Sequence, residues 1–187
     1  MRLLRARRPL VVAGIVALSC WLMKDDLLYR HGIWRLAHAA DEGEVAEYSE
    51  QIEEMGDRAV SGLVATYDET AQPNRVRRAA ARALMKSDAT LAEAVFGRHL
   101  DDPNTEASAM AIRDLGVMKS GKYRGKILEK LGSGNEVVRW SVVDYLGHFA
   151  DADSVALLER IMAGDESSMV REAAARRLGG RADQAEK

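Results

Sequence analysis

The sequence predicts an all-α protein built from stacked helical hairpins. Alanine is the most frequent of the 187 residues, only 5% are aromatic, and there are three prolines. Alanine is the best helix former, and the β-branched and aromatic enrichment typical of strands is missing. A nine-residue segment also recurs at nearly constant spacing. With 47% hydrophobic and 30% charged residues, the chain can form a core rather than remain disordered.

The first 24 residues have the layout of an export signal. Arginines stand at positions 2, 5, 7 and 8 without an acidic residue, and an apolar run, residues 9–23, ends at Lys24. A basic start followed by such a run is typical of a signal segment. As a helix the run is about 22 Å long, shorter than the ~30 Å hydrocarbon core. Arg8 and Lys24 can extend their charges outward, so an uncleaved signal anchor is the leading interpretation of residues 1–24.

Two alternatives remain open for this segment. Leu18-Ser19-Cys20 is similar to a bacterial lipobox, which makes Cys20 a possible lipidation site. Ala17-Leu18-Ser19 fits a signal-peptidase site, which would release a secreted protein. All three outcomes place the following residues on the same side, because the four arginines hold the N-terminus in the cytoplasm. We therefore expect membrane attachment through residues 9–23, in a bacterial inner membrane, with the repeat domain in the periplasm.

Charge and cysteine content exclude several classes of function. Without the four N-terminal arginines, 23 basic residues face 29 acidic ones, a formal charge of −6. A net-acidic exported domain is a poor nucleic-acid binder, because such binding needs a basic surface. A single cysteine excludes an intramolecular disulfide and a zinc site with four cysteines.

Residues 25–56 are predicted to form a pair of capping helices. The stretches 25–40 and 44–55 have helical periodicity, and the second has an acidic outer side that includes Glu44, Glu47 and Glu54. A stack of repeats needs a capping element with a polar outer side, because the end of the stack would otherwise expose its core to water.

A repeated segment follows. Residues 76–84, 107–115, 138–146 and 170–178 align, and their closing leucines, Leu84, Leu115, Leu146 and Leu178, are 31, 31 and 32 residues apart. Gly116, Gly147 and Gly179 follow three of these leucines. There we expect glycines in left-handed conformation at the residue after the helix.

Each repeat has a second helical half upstream. Apolar residues recur at helical spacing over 91–100, 122–131 and 154–162, with Phe96, Ile127 and Leu158 at matching places. Two antiparallel helices per ~31 residues, stacked side by side, form an α-solenoid. We predict about four such hairpins over residues 57–180. Gly179-Gly180 is expected to end the last helix, leaving residues 181–187 as a disordered tail.

These residues resemble a known family. Asp102-Pro103-Asn104 before a helix, and Val-Arg with Ala, Leu and Gly beyond it, are similar to the short HEAT-like repeats of phycobilisome lyases. The resemblance implies a ladder of hydrogen bonds between turn acids and helix arginines. Arg77, Arg139 and Arg171 match that arginine, whereas Ser108 interrupts the ladder. The family pattern specifies the fold better than the activity.

No site chemistry stands out in the sequence. His31 and His38 share a helix face, but no third metal ligand or haem-attachment motif accompanies them. Motifs for hydrolases, zinc proteases, phosphate loops and dinucleotide binding are missing. We therefore predict no catalytic residue, no cofactor and no metal. The resemblance leaves a bilin lyase or another ligand-handling enzyme as the alternative.

What remains is a surface for another protein. In solenoids of this type the second helices line the concave face, and helical geometry assigns two positions of each to that face. They hold Arg78, Arg82, Ala109, Arg113, Trp140, Asp144, Glu172 and Arg176. Arginine and tryptophan are enriched in interface hot spots, which favours partner binding around Trp140. The alternative is that Trp140 packs on its neighbours and the arginines pair with local acids. The sequence thus predicts a non-catalytic scaffold, assembly factor or accessory subunit of a membrane complex.

Overall fold

The computed structural model describes residues 31, 32, 34, 35, 43, 44, 47, 50, 51 and 59–185, with side chains as far as Gly180. The predicted signal segment, Cys20, His38 and most of the predicted capping helices lie outside the described residues. Between residues 59 and 185 the chain consists of helices and turns and contains no strand. Among the described residues, no helix is both long enough and apolar enough to span a bilayer.

Eight α-helices follow one another along residues 60–185. They are α1 (Val60–Asp68), α2 (Asn74–Ser87), α3 (Ala89–Arg98), α4 (Thr105–Val117), α5 (Arg124–Glu129), α6 (Glu136–Gly147), α7 (Ala152–Gly164) and α8 (Ser168–Ala185). Short 3₁₀ turns, His99–Asp101 and Lys130–Gly132, extend α3 and α5. The helices form four hairpins in the predicted order, which confirms the all-α fold.

The chain divides into two compact units, Met1–Ser87 and Asp88–Lys187. In the first unit, α1 packs against α2. In the second unit, α6 packs between α4 and α8, so the second helices of three hairpins lie side by side. The division falls inside the stretch 57–180, and the predicted domain boundaries at residues 56 and 180 stay predictions.

Asparagine and aspartate side chains fix the starts of several helices. Asn104 and Asn135 each accept hydrogen bonds from the two backbone N–H groups that open α4 and α6. Asp88 and Asp151 do the same for one N–H group of α3 and α7. These oxygens satisfy donors that a helix start leaves without an intrahelical partner. Asn104 and Asn135 thus connect the turns of the second and third hairpins to their second helices.

The repeated leucines lie in the core, as their spacing predicts. Leu84 is fully buried in the first unit, and Leu115 and Leu146 are fully buried in the second. Leu178 is half-buried. The matching residues of the first helices, Phe96, Ile127 and Leu158, are also fully buried. Each of the last three hairpins therefore contributes one apolar residue from each helix at equivalent positions.

At the second position of each repeated segment, a polar side chain donates a hydrogen bond to a backbone carbonyl of its own hairpin. Arg77 Nε donates to the carbonyl of Tyr67 at 2.8 Å, and Ser108 Oγ donates to the carbonyl of Leu100 at 2.7 Å. Arg139 Nη1 donates to the carbonyl of Ser133 at 2.8 Å. Arg171 Nη1 donates to the carbonyl of Asp165 at 2.6 Å. In all four hairpins, the side chain at this position thus satisfies a backbone carbonyl of the same hairpin.

Arg139 also links its repeat to the next one. Its Nε and Nη2 donate to the two carboxylate oxygens of Asp165, both at 3.0 Å. The two side chains are only 5% and 9% exposed. This bidentate pair is one rung of the ladder that the resemblance implies. Ser108, which replaces the arginine in its repeat, donates to the carbonyl of Leu100 instead.

The prediction that the repeated glycines adopt a left-handed conformation is wrong. Gly116 lies within α4 and Gly147 ends α6, and neither has a positive φ. Their role is close approach between neighbouring repeats. A Cβ on Gly116 would lie 2.9 Å from the His148 ring and 3.0 Å from the Cα of Tyr145, and one on Gly147 would lie 2.5 Å from the Arg177 side chain.

Lys119 takes the left-handed position that ends α4. Its φ is 52°, and it is the one non-glycine residue with positive φ among those described. The N–H of Lys119 bonds to the carbonyl of Gly116 at 2.9 Å, and the N–H of Ser120 bonds to that of Leu115 at 3.0 Å. This pair of bonds is the Schellman pattern of a helix end.

The last helix does not end at Gly179-Gly180. Helix α8 continues through both glycines to Ala185, so helix replaces the predicted disordered tail over residues 181–185. Glycine inside a helix costs only about 1 kcal/mol relative to alanine. The residues that follow include Arg181, Ala182 and Ala185, which favour helix.

Candidate functional site

Arg113 and Trp140 form the centre of the predicted partner-binding surface. The Arg113 guanidinium lies over the Trp140 ring, with its Cζ 5.1 Å from the ring centroid. The two residues come from α4 and α6, which pack against each other in the second unit. Arg113 Nε is buried and forms no hydrogen bond with the described residues, although it lies within ion-pair distance of Asp144. A cation stacked on an aromatic face in this way is held in a fixed orientation.

The carboxylate of Asp144 forms ion pairs with two arginines. Arg113 Nε is 3.5 Å from Asp144 Oδ2, and Arg177 Nη2 donates a hydrogen bond to Asp144 Oδ1. The three residues belong to α4, α6 and α8, so one carboxylate joins three successive repeats. The sequence prediction missed Arg177, because its position in the repeat is occupied by Asp114 and Tyr145 in the preceding copies.

Two of the eight positions assigned to the exposed face are buried instead. Ala109 is 4% exposed and Asp144 is 8% exposed. Asp144 is covered because arginines from both neighbouring repeats close over it. Ala109 is too short to leave the packed surface of α4. The assignment of these two residues to the exposed face is therefore wrong, and Asp144 ties neighbouring repeats together.

The other predicted positions are accessible to different degrees. Trp140 and Arg113 are half-buried, and Glu172 and Arg176 are exposed on α8, where Arg176 Nη1 lies 3.8 Å from Glu172 Oε2. Arg78 and Arg82 are exposed on α2 in the first unit. The structure therefore brings together Arg113, Trp140 and Arg176 with Arg177 in the second unit. We call this side of α4, α6 and α8 the second-helix surface.

A cleft of about 260 Å³ opens beside Trp140 on this surface. It is lined by Trp140, Val143, Asp144, Ala173, Arg176 and Arg177. Its apolar part comes from α6 and from the small Ala173 of α8, and its arginines stand on α8. We call it the Trp140 cleft. An apolar floor with cationic side chains at the rim suits a mixed apolar and anionic ligand group.

Contacts between repeats hold α6, and with it Trp140, in place. The phenol of Tyr145 donates to the carbonyl of Ser120 at 2.7 Å, and the Ser120 hydroxyl donates to Glu93 at 2.5 Å. His148 packs against Gly116 near the C-terminus of α6. Burial lowers the pKa of His148, with Asp144 opposing the shift and Arg177 and Lys119 adding to it. A neutral imidazole therefore fills this contact at neutral pH.

A second, larger cavity of about 630 Å³ lies near the N-terminal ends of α6 and α8. Its polar lining includes Glu136, Arg139 and Ser167. Arg139 is bound to Asp165, and Ser167 Oγ donates to Glu136 Oε2 at 2.6 Å. These groups are thus already engaged in ties between repeats.

The histidines do not converge with other metal ligands in the described part of the chain. His31 stacks on Trp34, with ring centroids 6.2 Å apart, and His99 Nδ1 lies 2.9 Å from Asp102 Oδ2. No group of three or more His, Cys, Asp or Glu side chains comes together there. The pairing of His31 with His38 lies outside the described residues.

Comparison with known proteins agrees with this architecture. Residues 94–179 match the family model of HEAT repeats, a stretch that begins in α3 and ends in α8. No curated protein matches the chain. The matched stretch contains Arg113, Trp140, Arg176, Arg177 and the ties between repeats. Residues 94–179 are therefore similar to HEAT repeats.

Proposed function

We propose that this chain is a non-catalytic protein-binding scaffold, assembly factor or accessory subunit of a membrane-associated complex. HEAT repeats generally mediate interactions between proteins, and their stacked helices present an extended surface. The observation that carries the proposal is the Arg113–Trp140 stack at the Trp140 cleft. Tryptophan and arginine beside a pocket are the features of an interface hot spot. Nucleic acid is a poor fit, because the chain has a formal net charge of −2.

Affinity purification from detergent-solubilised membranes tests this proposal. The tagged full chain is compared with Trp140→Ala and Arg113→Ala, and Arg160→Ala on the exposed side of α7 is the matched control. We expect a partner that the unchanged chain and Arg160→Ala retain and that both surface variants lose. Circular dichroism confirms that the variants fold. A partner equally retained by all four proteins would contradict a role for this surface.

Membrane attachment and periplasmic location are part of the proposal and rest on residues 1–24. Four arginines before the apolar run 9–23 support an orientation with the repeats outside the cytoplasm. Intact mass of the mature protein tests it. A full-length mass supports the signal anchor, an added lipid on a chain that starts at Cys20 supports the lipoprotein, and a shorter unmodified chain supports secretion.

A bilin-lyase-like or other ligand-handling enzyme is the second candidate. The cavity of about 630 Å³ near α6 and α8 is the observation that favours it. Catalysis needs converging groups that are free to react, whereas the Arg139 and Glu136 side chains in this cavity bind Asp165 and Ser167. Visible absorbance and metal analysis of the purified protein distinguish the two candidates: a stoichiometric chromophore or metal would favour the enzyme.

A further inference from the structure

We infer that the partner presents an acidic segment with a large apolar residue, which enters the Trp140 cleft; this inference rests on the proposed function. The first step is the charge of the second-helix surface. Arg176 and Arg177 line the cleft, Arg113 lies over the ring of Trp140, and Glu172 pairs with Arg176. Asp144 is 8% exposed and already holds two of the arginines. The surface is therefore cationic on a chain that is acidic as a whole.

The second step is the availability of these arginines. Arg176 is the guanidinium most available to a ligand, whereas Arg113 and Arg177 pair with Asp144 and are only partly exposed. The side chains of Arg113 and Arg177 are 38% and 41% exposed. That of Arg176 is 66% exposed, and its pair with the equally exposed Glu172 spans 3.8 Å. Such a surface pair contributes little and exchanges easily for a better acceptor. A partner carboxylate offers that acceptor, since guanidinium binds carboxylate through two parallel hydrogen bonds.

The third step is the floor of the cleft. Trp140 supplies most of the accessible apolar surface, because Val143 and Ala173 are 0% and 5% exposed, and a volume of about 260 Å³ has room for an aromatic or branched aliphatic side chain. A ligand with charges alone would leave this floor in water. Carboxylates on either side of one apolar residue would match both parts of the site.

Polyanions other than a protein segment fit less well. A nucleic acid duplex or an anionic membrane presents negative charge over a wide area and would meet the acidic remainder of the chain. A short acidic segment places its charge only at the arginines. The small extent of the positive surface therefore favours a protein partner over nucleic acid and membrane.

Fluorescence anisotropy with labelled synthetic peptides tests the inference on the full chain in detergent. The probe is a short peptide with glutamates on both sides of a central phenylalanine. Its controls replace the phenylalanine by glycine or the glutamates by lysine. We expect binding of the first peptide only, weakened by added salt and weakened about tenfold by Arg176→Glu. Arg160→Glu, an equal change of charge on α7, should leave the affinity unchanged.

Several results would overturn the inference. These are equal binding of the lysine peptide, no binding of the acidic peptide, equal effects of the two charge reversals, and tighter binding of an oligonucleotide or an anionic vesicle. Failure of the proposed function can be distinguished from failure of this inference. If Trp140→Ala abolishes partner capture but Arg176→Glu does not weaken it, the scaffold stands and the acidic segment is wrong. If no partner depends on Trp140, the proposed function itself is wrong.

Discussion

At the scale of single residues, Arg139 and Asp165 illustrate why a buried ion pair matters most when it is broken. Both side chains are at least nine-tenths buried, and Arg139 also donates to a turn carbonyl. Desolvation offsets much of the attraction in such a pair, but removal of one partner leaves an uncompensated buried charge. The family resemblance predicted the arginine position, and the structure supplies its partner.

Arg139→Ala should therefore lower the free energy of unfolding by about 3–5 kcal/mol. Lys126→Ala is the control, because the Lys126–Asp101 pair is 41% and 58% exposed and should contribute less than about 1 kcal/mol. Urea unfolding of both variants measures the difference. Equal losses from the two substitutions would contradict a structural role for the buried pair.

The same pair predicts a pH dependence. Hydrogen bonding to Arg139 lowers the pKa of Asp165, so the stability it provides is present above the pKa of unfolded aspartate, about 3.9. That stability is lost as the pH falls through the lower folded pKa. The stability difference between the unchanged chain and Asp165→Asn should thus be constant near neutral pH and shrink below about pH 4. A difference that grows on acidification would refute the assignment.

Lys119 gives a third prediction at this scale. A non-glycine residue in the left-handed region costs about 1–2 kcal/mol. Glycine removes this strain, but part of the gain is lost because glycine raises the conformational entropy of the unfolded chain. Lys119→Gly should therefore stabilise the protein by roughly 0.5–1 kcal/mol. Lys119→Ala retains the strain and should stay close to the unchanged chain in thermal unfolding. Destabilisation by glycine would show that the Lys119 side chain, not its backbone, matters.

At the scale of helices, glycines set how closely neighbouring repeats approach. A Cβ on Gly116 would press on the Tyr145 backbone at 3.0 Å, whereas nothing lies within 4 Å of the Cβ position of Gly179. The sequence could not distinguish the crowded glycine from the open one, because each follows the closing leucine of its repeat. Only the packing of α6 against α4 distinguishes a close contact from an open position.

Gly116→Ala should destabilise the protein by about 1–3 kcal/mol, since the crowded atom is backbone and cannot move away. Gly179→Ala occupies an open helical site and should instead stabilise it by up to about 1 kcal/mol. Denaturant midpoints of the two variants provide the comparison. Stabilisation by Gly116→Ala would contradict the close approach of α4 and α6.

The boundaries of the first helices show where local pattern reaches its limit. Periodicity predicted one helix over residues 122–131, and the chain forms α5 from Arg124 to Glu129 with a 3₁₀ turn beyond it. The apolar residue Ile127 is buried as predicted. Apolar spacing identifies the buried face, but it carries no information on how the last turn satisfies its carbonyls.

At the scale of the whole molecule, the order of the hairpins followed from repeat spacing, because each repeat buries its apolar positions against its neighbours. The binding surface was only partly predictable. Of the residues that helical geometry assigned to this surface, Trp140 and Arg113 are half-buried and Asp144 is covered, and Arg177 was missed. The rotation of each second helix against the next decides which polar residues meet, and a single sequence does not specify it.

The compact unit 88–187 contains three hairpins and the whole HEAT match. A repeat array needs at least three repeats to be stable, and this unit contains three. A fragment of residues 88–187 should therefore show helical circular dichroism and one cooperative urea transition. A gradual loss of signal without a transition would mean that this unit depends on residues outside it.

The central claim is that the second-helix surface binds a protein, and site-specific photo-crosslinking in intact cells tests it most directly. A photoreactive residue is placed in turn at Arg113, Trp140 and Arg176, and at Glu129 and Arg160 on the first helices as controls. We predict one discrete crosslinked product of the same partner from the three surface positions and none from the controls. Crosslinks from the controls alone, or no product from any surface position, would contradict the claim.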